Sequence, residues 1–165
     1  MLKLEQYRDL WLSEKMDEFI GFYPREFFVF DNFSSFKVCV DGVVYPTVEH
    51  AYQASKFLKS APEVAKEIME SFSAHDAQKI GYANKDKQCE NWDEIKLSVM
   101  ERLLRLKLEQ NPYVKKKLLQ TSDYTICEDS PKDSFWGIGQ DRNGRNELGK
   151  LWMKLREEIK GKQNV

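Results

Sequence analysis

Between Phe36 and Phe57 the chain changes its period, and no other stretch constrains the architecture as much. F-K-V-C-V at Phe36 to Val40 alternates, Asp41-Gly42 is a favoured hairpin dipeptide, and Val43 to Tyr45 completes a two-stranded ribbon. Helical spacing follows almost at once. Thr47 is a good N-cap, because its hydroxyl can accept from an orphan backbone N–H, and neither Pro nor Gly interrupts the residues after it. A helix is therefore expected to start at Val48, directly behind a hairpin.

On that helix Glu49, Gln53 and Lys56 fall at i, i+4 and i+7 with Tyr52 beside them, while His50, Ala51, Ala54, Phe57 and Leu58 go to other faces. One stripe is polar and is expected to line a cleft. Glu49 stands in the first turn, where the helix dipole and free N–H groups favour an ionised carboxylate. Two readings stay open: a first-turn Glu that stabilises its helix, or an anion placed to meet positive charge.

At 165 residues the chain is most economically one domain, long enough to bury about two thirds of its unfolded surface. Charged residues make up 32% and the net charge is −1, so no basic excess points to nucleic acid, and a bound phosphate would be held by a few placed side chains. Cys39, Cys89 and Cys127 stand alone and His50 and His75 lack zinc-type spacing, which points to a reducing compartment and no metal. The start, M-L-K-L-E-Q-Y-R-D, lacks the apolar core of a signal peptide, and no run is apolar enough to span a bilayer. The expected location is therefore the cytosol, with no membrane contact.

Leu4, Tyr7, Leu10 or Trp11, and Met16 recur with helical spacing, so an amphipathic helix is expected within Met1 to Phe19. Ile20 to Phe33 is aromatic and β-favouring, giving with the hairpin a short antiparallel sheet. Asn32 and Phe33 then form a loop, open either to a heterocycle or sugar or to an Asx-turn and a core aromatic. Ser60 to Glu63 reads as a capping box for a helix over Pro62 to Phe72, and Ser73 caps another ending near Gly81. Asn91 heads the longest helical pattern, striped by Ile95, Val99, Leu103 and Leu106, until Asn111-Pro112 stops it and opens the next helix. Trp92 at that helix start is either a stacking face for a planar ligand or a hydrophobic staple.

Tyr124 to Glu128 is expected to be an edge strand. The long polar stretch from Asp129 to Arg145 carries Gly137, Gly139 and Gly144, and is followed by Asn146 and a last helix in which Gly149 permits close packing. W-G-I-G-Q-D-R-N-G-R-N lacks the G-K-[ST] of a P-loop and the βαβ setting of a dinucleotide fingerprint. Trp136 offers a stacking face and Gly137 close backbone approach. Asp141 offers a carboxylate, Arg142 and Arg145 forks for phosphate or for solvent, and Asn146 an amide for ligand oxygens. This loop is expected to close over the Glu49 helix.

Three blocks, D-N-F-S at Asp31, D-G-V-V-Y-P-T-V-E-H-A-Y-Q-A-S-K-F at Asp41 and W-G-I-G-Q-D-R-N-G-R-N-E-L-G-K-L-W-M-K-L-R at Trp136, resemble in order the NADAR family and its YbiA-like N-glycosidases, over roughly Gly21 to Ile159. The resemblance implies an α+β, predominantly helical single domain with a small antiparallel sheet near the N-terminus. Residues 21–160 would form the domain, 1–20 a peripheral helix and 161–165 a tail. It further implies hydrolysis of the C–N bond between ribose 5-phosphate and a pyrimidine in early riboflavin-pathway aminopyrimidine ribotides. The alternatives are removal of ADP-ribose from modified guanine in nucleic acid, or a non-catalytic ADP-ribose-binding module. Neither metal nor organic cofactor is expected. In this scheme Glu49 is catalytic; Trp92 and Trp136 hold the heterocycle, Asn32 and Asp141 fix its edge or the sugar hydroxyls, and Lys56 and Arg142 take the phosphate. The chain departs from the family in two ways: a basic residue follows Asp141 where Gly is expected, and the segment before Gly21 has no clear counterpart.

Overall fold

The computed structural model describes residues 19–22 and 27–163. In chain order these form β1 (Phe19–Phe22), a 3-10 turn (Phe28–Phe30), β2 (Val38–Val40), β3 (Val43–Tyr45), α1 (Val48–Ser55), α2 (Pro62–Glu70), α3 (Ala74–Ala83), a 3-10 turn (Lys85–Lys87), α4 (Trp92–Gln110), α5 (Pro112–Gln120), β4 (Thr125–Glu128) and α6 (Glu147–Gln163). The chain is thus α+β and predominantly helical, with two small sheets among the described residues. It divides into two compact units, one of Asn32–Pro112 and one of Met1–Asp31 with Tyr113–Val165. The N-terminal helix expected before residue 20 lies outside the described residues apart from Phe19. Among the described residues no helix is long and apolar enough to cross a membrane.

In the Asn32–Pro112 unit the hairpin forms as its turn dictates. Asp41 at φ 50° and Gly42 at φ 83° are both left-handed, the geometry that matches the twist of paired strands, and Val38, Cys39 and Val40 pair antiparallel with Tyr45, Val44 and Val43. Arg102 on α4 grips the turn by its Nη1 and Nη2 bonds to Asp41, at 3.1 and 2.6 Å, and holds that carboxyl below its usual range. The Val48–Ser55 helix then runs between β2, β3, α2, α3 and α4, and every residue from Val48 to Ala54 is buried. The polar stripe that sequence spacing suggested is buried with the rest of the helix, Glu49 at 5%, Gln53 at 2% and Lys56 at 8% exposed, so its polar groups need partners.

Two start signals behave differently from expectation. Pro62 fixes the first turn of α2, so the N-cap falls on Ala61, which makes no side-chain cap bond, while Ser60 turns back to donate to the Lys56 carbonyl at 3.4 Å. Asn91 occupies the N-cap of α4 without a side-chain cap; only its carbonyl accepts, from Glu94 N at 3.0 Å and Ile95 N at 3.2 Å. Ser73 caps α3 as expected, accepting from Asp76 N at 3.1 Å and donating to its carboxylate at 2.6 Å. The buried face of α4 is Met100, Leu103, Leu104, Lys107 and Leu108, with Ile95, Val99 and Leu106 half-buried. The rotation follows from Lys107, fully buried, whose ammonium donates to Ser34 Oγ at 2.7 Å and sits 5.3 Å from the Phe36 ring.

In the other unit β1 does not join the hairpin but pairs parallel with β4, Phe19 opposite Thr125 through to Phe22 opposite Glu128. The aromatic run after it turns at Phe28–Phe30 instead of continuing as a strand, because Phe30 is drawn into the core against Trp152, 5.2 Å away, whose indole N–H donates to the Phe30 carbonyl at 3.0 Å. The closing helix α6 packs on β4. A Cβ at Gly149 would collide with the Ile126 carbonyl, so the missing side chain lets helix and strand approach. Helix α6 continues past residue 160 to Gln163.

Candidate active site

Thr47 begins the site from the local sequence upward. In extended backbone (φ −145°, ψ 166°) its Oγ1 accepts from His50 N at 3.2 Å and meets His50 Nδ1 at 2.8 Å, while His50 Nε2 donates to the Ser71 carbonyl at 3.2 Å. The Ser71 carbonyl can only accept, so Nε2 carries a proton. Burial pushes its pKa below the usual value, so the cap remains intact near neutral pH.

The cap orients Glu49, whose backbone N–H donates to the Asn32 carbonyl at 3.0 Å and whose side chain is 5% exposed. Its Oε1 accepts from Gln53 Nε2 at 2.7 Å, the i to i+4 partner that helical spacing predicts. Lys56, one turn further, is 8% exposed. Its ammonium lies 5.2 Å from the Tyr52 ring centre, 5.5 Å from that of Tyr82 and 5.7 Å from that of Trp92. Burial pulls the Lys56 pKa down to about 8. Glu49 opposes that shift by favouring the charged form, and Lys85 and Lys96 add to it by repulsion. An anion and a caged cation therefore sit within reach of each other's field.

Asn32 joins this group. Its Nδ2 makes a weak bond to Met100 Sδ at 3.5 Å, while Oδ1 is buried with no hydrogen-bond partner among the described residues. Phe33 beside it is half-buried in the same loop. Trp92 is 4% exposed and packs on Tyr52 at 5.1 Å with a 59° tilt, so its ring is a wall of the Lys56 cage rather than an open stacking face. Tyr82 completes that cage and was not singled out by sequence: it lies on α3, and nothing in the local pattern links it to Lys56.

The remaining expected residues belong to the second unit. There the Asp129–Arg145 loop is held by its own hydrogen bonds, with Asp133 Oδ1 accepting from Phe135 N and Trp136 N at 2.9 and 2.7 Å. Trp136 sets its half-buried ring edge-on to Phe135 at 4.9 Å. Gly137 lies where a Cβ would come within 2.7 Å of the Glu128 carbonyl and 2.8 Å of that of Asp133, so it serves close approach within the loop. Asp141 turns its carboxylate to Asn143 N at 3.1 Å, and Arg142, at φ 60°, pairs with Asp129 at 3.1 Å, so any phosphate must compete with that carboxylate. Asn146, expected to meet ligand oxygens, instead has both ends of its amide on β4: Oδ1 accepts from Glu128 N and Nδ2 donates to the Ile126 carbonyl, each at 2.9 Å.

Comparison with known proteins adds an independent line. The NADAR domain model matches residues 10–160, starting ahead of the Gly21 boundary suggested by motifs. The N-glycosidase YbiA of Escherichia coli K12 is 35% identical over 145 residues, which cover 87% of this chain and 89% of that protein. A riboflavin biosynthesis protein of Vibrio vulnificus is 36% identical over 149 residues, 89% of this chain but 40% of the longer relative. The NMR structure of E. coli YbiA is similar with a TM-score of 0.80 at 34% identity, covering 89% of this chain and 88% of that one.

Proposed function

This chain belongs to the NADAR domain family and is a hydrolase acting on N-glycosyl bonds, and from that premise we propose that its substrate is an aminopyrimidine ribotide of the early riboflavin pathway. Relatives named for riboflavin biosynthesis support that substrate class. Hydrolysis breaks the C1′–N bond. Its electron pair leaves with the base, which takes up a proton, and a water oxygen bonds to C1′ and gives up a proton. The transition state is oxocarbenium-like, so the sugar carries growing positive charge. A preorganised anion in a water-poor site stabilises that charge without reorganising.

One observation supports the assignment above others: Glu49 is a buried carboxylate on a first helical turn, bonded by Gln53 at 2.7 Å. Asn32 supplies an unsatisfied acceptor for a substrate N–H or O–H. Lys56 takes the 5′-phosphate, since a dianion there offsets the repulsion that Lys85 and Lys96 exert on it. Glu49, Asn32 and Lys56 all belong to the Asn32–Pro112 unit.

Incubation with a panel of N-ribosides, with released bases identified by mass, is expected to yield a pyrimidine and ribose 5-phosphate from the aminopyrimidine ribotide. Guanine released instead from an ADP-ribosylated oligonucleotide would move the substrate class. No release from any member, with calorimetric binding of ADP-ribose, would leave a binding module and remove the catalytic reading. A pH dependence follows from Lys56: kcat/KM for the phosphorylated substrate should fall as pH rises through about 8, where the free enzyme's ammonium loses its proton, and the unphosphorylated riboside should not show that limb. Identical limbs for both substrates would separate Lys56 from phosphate.

A further inference from the structure

Gln53 is 2% exposed, and its carboxamide is oriented by the bond from Nε2 to Glu49 Oε1, while its own Oε1 is buried with no hydrogen-bond partner among the described residues. A buried carbonyl without a donor carries a free-energy penalty comparable to a lost hydrogen bond. The fold therefore tolerates that penalty to keep the amide nitrogen on Glu49. The reverse orientation would set the amide oxygen against a carboxylate oxygen, two acceptors with no proton between them. This is the arrangement of a carboxamide facing an anion.

Room for it comes from α3. Gly81 lies within that helix and is buried, where glycine is intrinsically disfavoured relative to alanine. A Cβ at this position would run into the Gln53 amide oxygen and its carbon. The absent side chain is thus matched to the carboxamide that reaches Glu49.

We propose that Gln53, admitted by Gly81, is a positioning residue that holds the Glu49 carboxylate in one orientation and in its anionic form while charge develops on the sugar. The inference rests on the reading of Glu49 as the catalytic anion. Gln53 acts through Glu49 and is not itself placed against substrate. A hydrogen bond donated to the charged form of an acid favours that form, and an anion fixed in advance does its work in the chemical step. Loss of the donor should therefore appear in kcat and in its pH dependence rather than in KM.

The test compares Gln53→Met, similar in length but without a donor, with Glu49→Gln, using the aminopyrimidine ribotide as substrate from about pH 5 to about pH 9. Gln53→Met is expected to lower kcat about tenfold, to change KM less than about twofold, and to move the acid-side inflection of kcat up by about one pH unit. Its melting temperature answers to two opposed changes, the orphan carbonyl removed and the donor to a buried carboxylate lost, so the inflection and the kcat against KM split carry the test. Gly81→Ala should move the inflection the same way, with little further change in the double variant. A lowered melting temperature with an unmoved inflection would make Gln53 part of the scaffold and overturn the inference. Should Gln53→Met fail to fold, Gln53→Asn takes its place, and failure of both to fold overturns it as well. Full activity in Glu49→Gln would remove the underlying reading of Glu49. An inactive Glu49→Gln beside an unmoved inflection in Gln53→Met would sink the Gln53 role alone.

Discussion

Glu49→Gln is expected to slow base release by on the order of a hundredfold or more in a protein that still folds. The substitution is nearly isosteric, and an amide oxygen at Oε1 can still accept from Gln53 Nε2, so the 2.7 Å contact survives while the charge does not. What disappears is the negative charge proposed to face the sugar and, with it, the interaction that favours the charged form of Lys56. A pocket that merely binds a phosphorylated nucleotide gains nothing from a carboxylate near the sugar. If Glu49→Gln is folded by its melting curve and turns over substrate at the wild-type rate, Glu49 has no catalytic task.

The Lys56 cage shows how the fold tolerates two opposite charges in an enclosed helix. Isolated ions would be costly there, and each is made tolerable by different chemistry: Glu49 by a charge-assisted hydrogen bond, Lys56 by three ring faces. Burial still dominates at Lys56, since its pKa falls despite Glu49. Such a cation is held close to losing its proton near neutral pH, and a phosphate dianion bound there, as proposed, would reverse that bias.

Much of this unit was legible in the chain because its signals are local. Thr47 and the uninterrupted residues after it set the Val48 start, Asp41-Gly42 set the turn, and i to i+4 spacing placed Gln53 on Glu49. The hidden parts depend on distant partners. Periodicity set the core stripe on Ile95, Val99, Leu103 and Leu106, yet Lys107 is fully buried, with its ammonium on Ser34 and beside Phe36 from the loop before β2, and the core face of α4 is rotated accordingly. β-favouring aromatics before residue 34 could not say that β1 would pair parallel with β4, far along the chain. Ser60 had the right spacing for a capping box, but Pro62 fixed the helix entrance and left its hydroxyl to the Lys56 carbonyl. Tyr82 carried no mark of the cation it covers.

Asn146 is where composition was most misleading, and Asn146→Ala is expected to lower stability by about 2–5 kcal/mol, read from urea denaturation. A loop asparagine ahead of a helix suggests an amide free to meet a ligand. Here the side chain imitates a neighbouring strand, accepting from Glu128 N and donating to the Ile126 carbonyl, each at 2.9 Å. Alanine would strand both buried backbone groups at once, and it would also have to adopt φ 52°, which Asn accepts more readily. Aspartate would keep the acceptor for Glu128 N but face the Ile126 carbonyl with a second acceptor, so it too should destabilise. Gly149 lies against the same amide, and a Cβ there would meet both Asn146 side-chain heteroatoms, so Gly149→Ala should act on the same contact without adding fully to Asn146→Ala. If Asn146→Ala instead keeps wild-type stability while KM rises, the residue serves the ligand rather than β4, and the loop is anchored by its backbone bonds alone.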